Sequence, residues 1–370
     1  IVEKKTEDFT GRKYVFNAID NFFREQPCGY FTIKAKPGVG KSAILAEYIR
    51  RTGCIAYFNV RSEGINHAEQ FLESVCTQLI ERYNLNYPFL PANATQDGGF
   101  LGQLLEEVAE KTNDESVVIT IDALDEVDLT SQSPGANVLY LPQYLPTGIY
   151  VILTQRSDVT LPFNVQAPQD VFDLMANNYE EEISQDVKDH IYKATKREGV
   201  QQWIQLRELT DEIFVTQLTK KSEYNFMYLY YVLGDIEGGK YKDLNIEKLP
   251  IGLEGYYEDH WQHMGMTKKP LPKPKLKIIY VLVEVGHPVS PHLISEVARE
   301  NRLTVQEVLD EWKQFLLEQN IEEQTCYSVY HASFSDFLHR KDIVQAAEVM
   351  IKDINTLIVD NLWEGLYGDE

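Results

Sequence analysis

The feature that most constrains the fold is a glycine-rich segment near residue 40. An apolar run over residues 30–33 leads into it, and residues 43–49 follow it with apolar side chains at helical spacing. The glycine-rich segment itself, residues 35–42, has the sequence AKPGVGKS. The order of strand, glycine loop and helix is that of a P-loop, which binds phosphate. We therefore expect an α/β chain organised around this segment.

Each residue type in the loop suits phosphate binding. Gly38 and Gly40 let the backbone turn so that its N–H groups point inward, where the helix N-terminus adds partial positive charge. Lys41 can reach the β- and γ-phosphates, and the Ser42 hydroxyl can ligate Mg²⁺. Ala35 replaces the first glycine of the pattern. We predict that ATP or ADP with Mg²⁺ is bound here by Pro37, Gly38, Val39, Gly40, Lys41, Ser42 and Ala43.

A second strand pattern ends in carboxylates. Residues 117–121 form a nearly continuous apolar run, as in a parallel strand that is covered on both faces. Asp122 follows at the end where such strands carry functional groups, so we predict that it holds Mg²⁺ together with Ser42. Asp125 and Glu126 are candidates for orienting the attacking water. An acidic turn that caps the next segment is the alternative.

A third strand pattern ends in an arginine. Arg156 follows the apolar run 149–154 and could sense the γ-phosphate; pairing with a surface carboxylate is the alternative. A short final strand is expected at residues 171–174. Strands that alternate with helices predict a parallel sheet flanked by helices. The candidate catalytic residues are Lys41, Asp122, Asp125, Glu126 and Arg156.

At 370 residues the chain is expected to form more than one domain. Helical patterns dominate after the last strand, and a proline-rich linker follows at residues 268–274. Three helical patterns, at 276–285, 291–300 and 305–319, and a short strand at 327–331 then predict a winged helix. The predicted domains are a P-loop nucleotide-binding domain (1–178), a helical domain (179–266), a winged-helix domain (267–340) and the start of a second helical domain (341–370).

The charge of the chain argues against nucleic acid and anionic membranes as partners. The formal net charge is −22. The third helical pattern of the predicted winged helix carries four acids and a single lysine, the wrong sign for a DNA major groove. These residues are Glu307, Asp310, Glu311, Glu318 and Lys313.

The four cysteines are scattered, without metal-ligand spacing. They are typical of reduced core residues, and no signal peptide or membrane-length apolar run is visible. We therefore expect a cytoplasmic location. Because the sequence begins at Ile1 rather than Met, we expect it to be part of a longer protein.

Four segments together resemble the STAND class of signalling ATPases, and most of all its NACHT branch, the nucleotide-binding oligomerisation module of NOD-like receptors. They are residues 9–12 (FTGR), the P-loop, 122–126 (DALDE) and 154–156 (TQR). The mark of the branch is a small residue directly after the Mg²⁺ aspartate, followed by further acids. Later stretches agree with the resemblance: 225–229, 249–253 and 330–338.

The resemblance implies a closed state with ADP and an oligomerising state with ATP and Mg²⁺, and effector and sensor domains outside this chain. It implies that Arg12 lies near the adenine and that His331 contacts the β-phosphate of ADP; a core histidine is the alternative. Phe226 stands where many relatives have an adenine-packing proline. Ala123 occupies the position where fast P-loop ATPases have a catalytic glutamate, so we expect slow hydrolysis.

Two other functions remain open from the sequence. An AAA+-like ATPase that loads onto DNA also joins a P-loop domain to a winged helix, but the acidic third helix argues against it. A scaffold that has lost nucleotide binding is the other, and the intact Lys41, Ser42 and Asp122 argue against it.

Overall fold

The computed structural model describes residues 1–113, 115–321, 323–340 and 354–359. They form two compact units: Ile1–Val60 with Ile65–Leu249, and Arg61–Gly64 with the chain from Pro250 onward. Residues 250–266, part of the predicted helical domain, belong to the second unit. The segment predicted at 341–370 lies outside the described residues except for 354–359, which are helical. Within the described ranges, the helices are all too short or too polar to cross a membrane.

The first unit is built on a five-stranded parallel sheet, which confirms the predicted α/β fold class. Its strands are β1 (Gly29–Ala35), β2 (Ile55–Phe58), β3 (Val117–Asp122), β4 (Ile149–Arg156) and β5 (Gln169–Asp173). Their order across the sheet is β2-β3-β4-β1-β5. Because every pair is parallel, the carboxyl ends of all strands share one edge, where Ala35 pairs with Arg156 and Asp122 with Phe58.

Strand β4 shows why its sequence is apolar without alternation. Val151 and Leu153 pack into the core on one face of the sheet. Tyr150 and Ile152 pack into the core on the other face. Since neighbouring side chains of a strand point to opposite faces, a strand between two cores is apolar at every position.

Helices cover both faces of the sheet. Those of the first unit are α1 (Val2–Thr6), α2 (Lys13–Glu25), α3 (Lys41–Thr52), α4 (Ala68–Arg82), α5 (Gly99–Thr112), α6 (Glu180–Ala194), α7 (Glu198–Gln205), α8 (Asp211–Ser222) and α9 (Phe226–Glu237). Helices α2 and α3 share one core, and α4 and α5 share the other. The apolar stretch 202–218 is broken into α7 and α8, because Glu208 adopts a φ of 54° and Thr210 caps a new helix.

The second unit contains the three predicted helices, and the short strand predicted at 327–331 is part of the second strand of a hairpin. Its elements are α10 (Gly252–His263), α11 (Lys273–Val285), α12 (Pro291–Ala298), α13 (Arg302–Glu311), the strands β6 (Leu316–Ile321) and β7 (Gln324–Val329), and α14 (Ala332–Leu338). The helix predicted over 305–319 is therefore wrong beyond Glu311. Glu318 lies on a strand and Lys313 in a 3₁₀ turn, rather than on the third helix.

Backbone pairing explains where α13 ends. The N–H of Tyr330 donates to the carbonyl of Phe315 over 2.8 Å, and Leu316 is then paired with Val329 in the antiparallel hairpin. Trp312 and Phe315 are fully buried on either side of the intervening turn. The hairpin and its buried aromatic residues thus replace the last turns that helical periodicity alone would predict.

Candidate nucleotide-binding site

The predicted phosphate loop connects β1 to α3 at the carboxyl edge of the sheet. Gly38 and Gly40 have φ values of 79° and 101°, in the left-handed region that favours glycine. Ala35 is the last residue of β1, is 1% exposed, and does not need a positive φ. An alanine therefore fits at the position of the first glycine of the motif.

The outer side of the loop contacts the start of α9. The Asn225 side chain donates from Nδ2 to the carbonyl of Pro37 over 3.0 Å. The N–H groups of Phe226 and Met227 both donate to the carbonyl of Gly38, over 2.9 and 3.2 Å. Sequence reasoning did not assign Asn225 to the site. The sequence feature that could have identified Asn225 is its position as an N-cap residue at the start of a highly apolar helix.

Arg12 lies buried beside the loop, at 2% exposure. Its Nη2 donates to the carbonyl of Val39 over 2.7 Å, and Nη1 donates to the Tyr14 hydroxyl over 2.7 Å. Its backbone N–H donates to Asp186 over 2.9 Å, and its Nε lies 3.8 Å from the same carboxylate. The guanidinium also lies 5.0 Å from the ring centre of Phe226. Burial raises the pKa of Asp186 even though Arg12 opposes the shift.

Lys41 folds back over the loop. Its Nζ donates to the carbonyls of Ala35 and Lys36, over 2.9 and 3.2 Å. Burial lowers the pKa of Lys41, while the nearby carboxylates of Asp125 and Asp122 act in the opposite direction. Lys41 is thus a partly desolvated cation next to acidic groups at the phosphate loop.

Asp122 is 3% exposed and is held from the neighbouring strand. The Thr154 hydroxyl donates to its Oδ1 over 2.5 Å and accepts from the N–H of Ala123 over 2.8 Å. Asn59 donates from Nδ2 to the Asp122 carbonyl over 2.8 Å. Sequence reasoning missed Thr154 and Asn59 as site residues. The signal was a polar side chain at the end of an otherwise apolar strand pattern.

Two of the remaining candidates at this edge, Asp125 and Arg156, are hydrogen-bonded to each other. The carboxylate of Asp125 accepts from the N–H of Arg156 over 3.0 Å, and burial raises the pKa of Asp125. The Arg156 guanidinium pairs with Asp158 through Nε and Nη2, over 3.0 and 2.7 Å. This is the surface pairing named as the alternative for Arg156. Glu126 follows Asp125 in a 3₁₀ turn, and its carbonyl accepts from Asn66 over 3.0 Å.

The donors at this edge suit Mg²⁺. Ser42 lies half-buried in the first turn of α3, next to Ala43, and Asp122 supplies a carboxylate that accepts from the neutral Thr154 hydroxyl. A hydroxyl and a carboxylate oxygen are hard ligands, and Mg²⁺ takes its other ligands from substrate phosphates and water. Ser42 and Asp122 would therefore hold the metal if nucleotide is bound.

His331 lies in the second unit, where it is the N-cap of α14. Its Nδ1 accepts from the N–H of Ser333 over 3.2 Å and lies 2.6 Å from the Ser333 hydroxyl. A neutral imidazole whose Nδ1 accepts carries its proton on Nε2. His331 therefore has a local structural role in addition to any contact with a ligand.

A family model described as Nephrocystin 3, N-terminal, matches residues 17–148. That region contains both the phosphate loop and Asp122. A search of curated proteins gives no match.

Among solved structures, a Walker-type ATPase of Pyrococcus abyssi is similar at 11% identity and a TM-score of 0.37, over 90% of this chain and 97% of that one. A STAND protein with a tetratricopeptide repeat sensor from Pyrococcus horikoshii is similar at 18% identity and a TM-score of 0.43. That match covers 92% of this chain and 44% of the other. The Drosophila ORC bound to DNA is similar at 13% identity and a TM-score of 0.33, over 90% and 94% of the two chains. The parallel sheet, the loop between β1 and α3, and Asp122 at the end of β3 together make this a P-loop NTPase fold.

Proposed function

We propose that this chain is a nucleotide-gated switch of the STAND type, in its NACHT branch. It binds ADP in a closed resting state and ATP with Mg²⁺ in an open state that self-associates. The observation that carries the proposal is the position of Lys41, which donates to two loop carbonyls and lies close to Asp122 and Asp125. This is a cation and metal-ligand arrangement for the phosphates of a nucleotide.

Each proposed ligand of the nucleotide has its own role. Residues 37–43 hold the phosphates, Ser42 and Asp122 hold Mg²⁺, and Arg12 borders the adenine end. His331 contacts the β-phosphate in the ADP state only. A ligand that binds one state more tightly shifts the equilibrium, and a change from about 1:99 to 99:1 needs roughly 5.5 kcal/mol of differential affinity.

Hydrolysis in the proposed switch is slow. Ala123 offers no carboxylate directly after Asp122, so the attacking water is oriented by Asp125 or Glu126. The raised pKa of Asp125 makes its carboxylate a better proton acceptor than an exposed aspartate. We expect turnover far below the roughly 10 s⁻¹ that is typical of enzymes.

Self-association, rather than DNA binding, is the proposed output. Helix α13 carries Glu307, Asp310 and Glu311 against Arg302 alone. Such a helix repels the phosphates of DNA. The partners proposed for the complete protein are effector and sensor domains outside this chain.

The proposal is tested by identifying the nucleotide that is released when the purified protein is denatured, with chromatography. Light scattering then compares the mass of the protein with ADP and with ATP plus Mg²⁺. We expect bound adenine nucleotide, and a larger mass with ATP. No binding of either nucleotide would contradict the proposal, and salt-dependent binding to a DNA duplex would favour the DNA-loading alternative.

A further inference from the structure

Three consecutive carbonyl groups of the phosphate loop accept hydrogen bonds from outside the loop. The carbonyl of Pro37 accepts from Asn225, and that of Gly38 accepts from the first two N–H groups of α9. The carbonyl of Val39 accepts from Arg12. The donors belong to two segments that are distant in the sequence, and both lie in the first unit.

Because of the geometry of the peptide bond, these contacts also orient the N–H groups on the opposite side of the loop, where the ligand would bind. In a planar trans peptide, the C=O of one residue and the N–H of the next point in opposite directions. Fixing the carbonyls of residues 37, 38 and 39 therefore fixes the N–H groups of residues 38, 39 and 40. Those three N–H groups belong to the segment that would surround the phosphates, so the external donors aim them.

The turn that presents Asn225 is held in an uncommon conformation. Glu223 and Tyr224 have φ values of 49° and 61°, both in the left-handed region although neither is glycine. Fully buried Ser222 accepts from the N–H of Tyr224 through its hydroxyl and from the N–H of Asn225 through its carbonyl. Such backbone persists only where the surrounding structure determines it, and it is often found at functional sites.

The contact also explains the glycine at position 38. A Cβ atom there would lie 2.5 Å from the Oδ1 of Asn225, besides being strained by the φ of 79°. The loop and the start of α9 are therefore matched to each other in shape as well as in hydrogen bonding.

We propose that Asn225 is a positioning residue for phosphate binding, and that the first turn of α9 couples the helices after the sheet directly to phosphate occupancy. The inference rests on the proposed nucleotide binding and deepens it. Asn225 acts on the ligand through the Pro37–Gly38 peptide. Because the link runs through the loop, it needs no contact between these helices and the adenine.

The test uses Asn225→Ser. Serine is as good an N-cap as asparagine, so α9 is retained, but its shorter side chain cannot reach the Pro37 carbonyl. We expect ADP and inorganic pyrophosphate to bind about fivefold more weakly, by the same factor, since the loss of one hydrogen bond acts on the phosphate cradle. The N–H groups of Phe226 and Met227 should exchange hydrogen faster than in the parent, and added ADP should slow their exchange in the parent.

The matched control is Asn301→Ser. Asn301 caps α13 through an equivalent bond, to the N–H of Thr304 over 2.9 Å, and lies in the second unit. It should leave both affinities unchanged. If Asn225→Ser folds poorly, Asn225→Asp retains the cap acceptor and side-chain length while removing the donor, so it should lose at least as much affinity, because its carboxylate also repels phosphate.

Lys41→Ala separates failure of the inference from failure of the proposed function. If Lys41→Ala loses ADP while Asn225→Ser and Asn225→Asp bind ADP and pyrophosphate as the parent does, the inference is overturned and the proposed function stands. A loss for ADP without one for pyrophosphate also overturns it, since the effect would then lie at the base. A parent that binds neither ligand overturns both.

Discussion

The two units of the chain differ in what they bury. In the part of the first unit that the structure describes, the buried charged residues are Arg12, Glu47, Asp122 and Asp186. In the part of the second unit that the structure describes, the buried polar residues are His260, Ser328 and Ser333. Burying a charge is unfavourable unless it is paired or hydrogen-bonded. Most of these buried charges lie around the phosphate loop. That is where a charged ligand would be expected to bind.

The second unit is held instead by an aromatic cluster, which we define as Tyr257, Trp312, Phe315, Phe334 and Phe337. The rings of Phe315 and Phe334 are stacked with centres 4.6 Å apart, and those of Tyr257 and Phe315 lie 5.5 Å apart. Such pairs contribute about 0.5–1.5 kcal/mol each beyond the burial of their area. The stability of this unit is therefore expected to depend on shape and not on charge.

Two buried carboxylates of the first unit show that burial alone does not mark a binding site. Glu47 pairs with Arg50 and Arg51 on its own helix, and the Arg50 hydrogen bond lowers its pKa. Asp122 accepts a hydrogen bond from the hydroxyl of Thr154, and its nearby cation is the loop lysine Lys41 rather than an arginine of its own element. Glu47 is thus already neutralised within the protein, whereas Asp122 is suited to receive a metal ion.

The largest expected effect is that of Lys41→Ala on nucleotide affinity. Charge-assisted hydrogen bonds contribute about 1.5–3 kcal/mol each, and Lys41 can make two, so ADP and ATP should bind about 100-fold more weakly or worse. Calorimetry measures the affinities, and the thermal midpoint should change little. Lys36→Ala is the matched control, because this exposed lysine of the same loop has no proposed contact with phosphate. Unchanged affinity in Lys41→Ala would show that the charged residues around the phosphate loop do not bind the nucleotide.

Phe334→Ala tests the other side of the comparison. It should destabilise the second unit by about 3–5 kcal/mol, because it empties the centre of the aromatic cluster. Denaturant unfolding followed by tryptophan fluorescence measures the change. Phe89→Ala is the control: Phe89 is 86% exposed, so its loss should stay within about 0.5 kcal/mol. A small effect at Phe334 would show that the cluster does not hold the second unit together.

His331→Ser asks whether the second unit also has a role at the ligand. Serine can keep the N-cap of α14 while removing the imidazole. If the proposed contact exists, ADP should bind about tenfold more weakly while ATP changes little. The protein should also shift toward an extended or self-associating form, which calorimetry and small-angle scattering together detect. Equal losses for both nucleotides, or none, would leave His331 with only its structural role.

The sequence predicted the sheet because its signals are local. A strand between two cores, such as β4, is apolar throughout. The glycines at 38 and 40 likewise predict a tight loop from their own positions in the sequence. The hairpin was harder, since residues 316–321 retain helical periodicity. Their strand conformation depends on pairing with residues 324–329 and on the burial of Phe315, which no local pattern contains.

The partners of the site residues were the least predictable part. Asn225 lies 188 positions from Pro37, and Thr154 lies 32 from Asp122. Their roles depend on which strand and which helix become neighbours. Arg156 shows the same limit, because its salt bridge to Asp158 is local, whereas its backbone N–H reaches Asp125 across the sheet.

The smallest expected effect is the stability that the folded protein loses when the carboxyl group of Asp125 ionises. Asp125→Asn measures this loss. Burial raises the pKa of Asp125 above its ordinary 3.8, so its ionised form is less favourable in the folded protein than in the unfolded one. The ligand-free protein therefore loses stability as the pH rises from below 3.8 through the raised pKa, and the loss persists at neutral pH. Asparagine cannot ionise but still accepts from the N–H of Arg156. The variant should melt about 1–4 °C higher than the parent at pH 7, and the difference should vanish toward pH 3.

Asp158→Asn provides a control of opposite sign for this prediction. The hydrogen bond from Arg156 lowers the pKa of Asp158, so its ionised form favours folding above the ordinary pKa. Asp158→Asn should therefore melt slightly below the parent at pH 7, again with no difference in acid. Asp125→Asn should also slow ATP hydrolysis, so that a more stable protein is a poorer enzyme. If Asp125→Asn instead melts below the parent at pH 7, the attraction between Lys41 and the Asp125 carboxylate outweighs the unfavourable burial of that carboxylate. The ionised form of Asp125 would then stabilise the ligand-free fold.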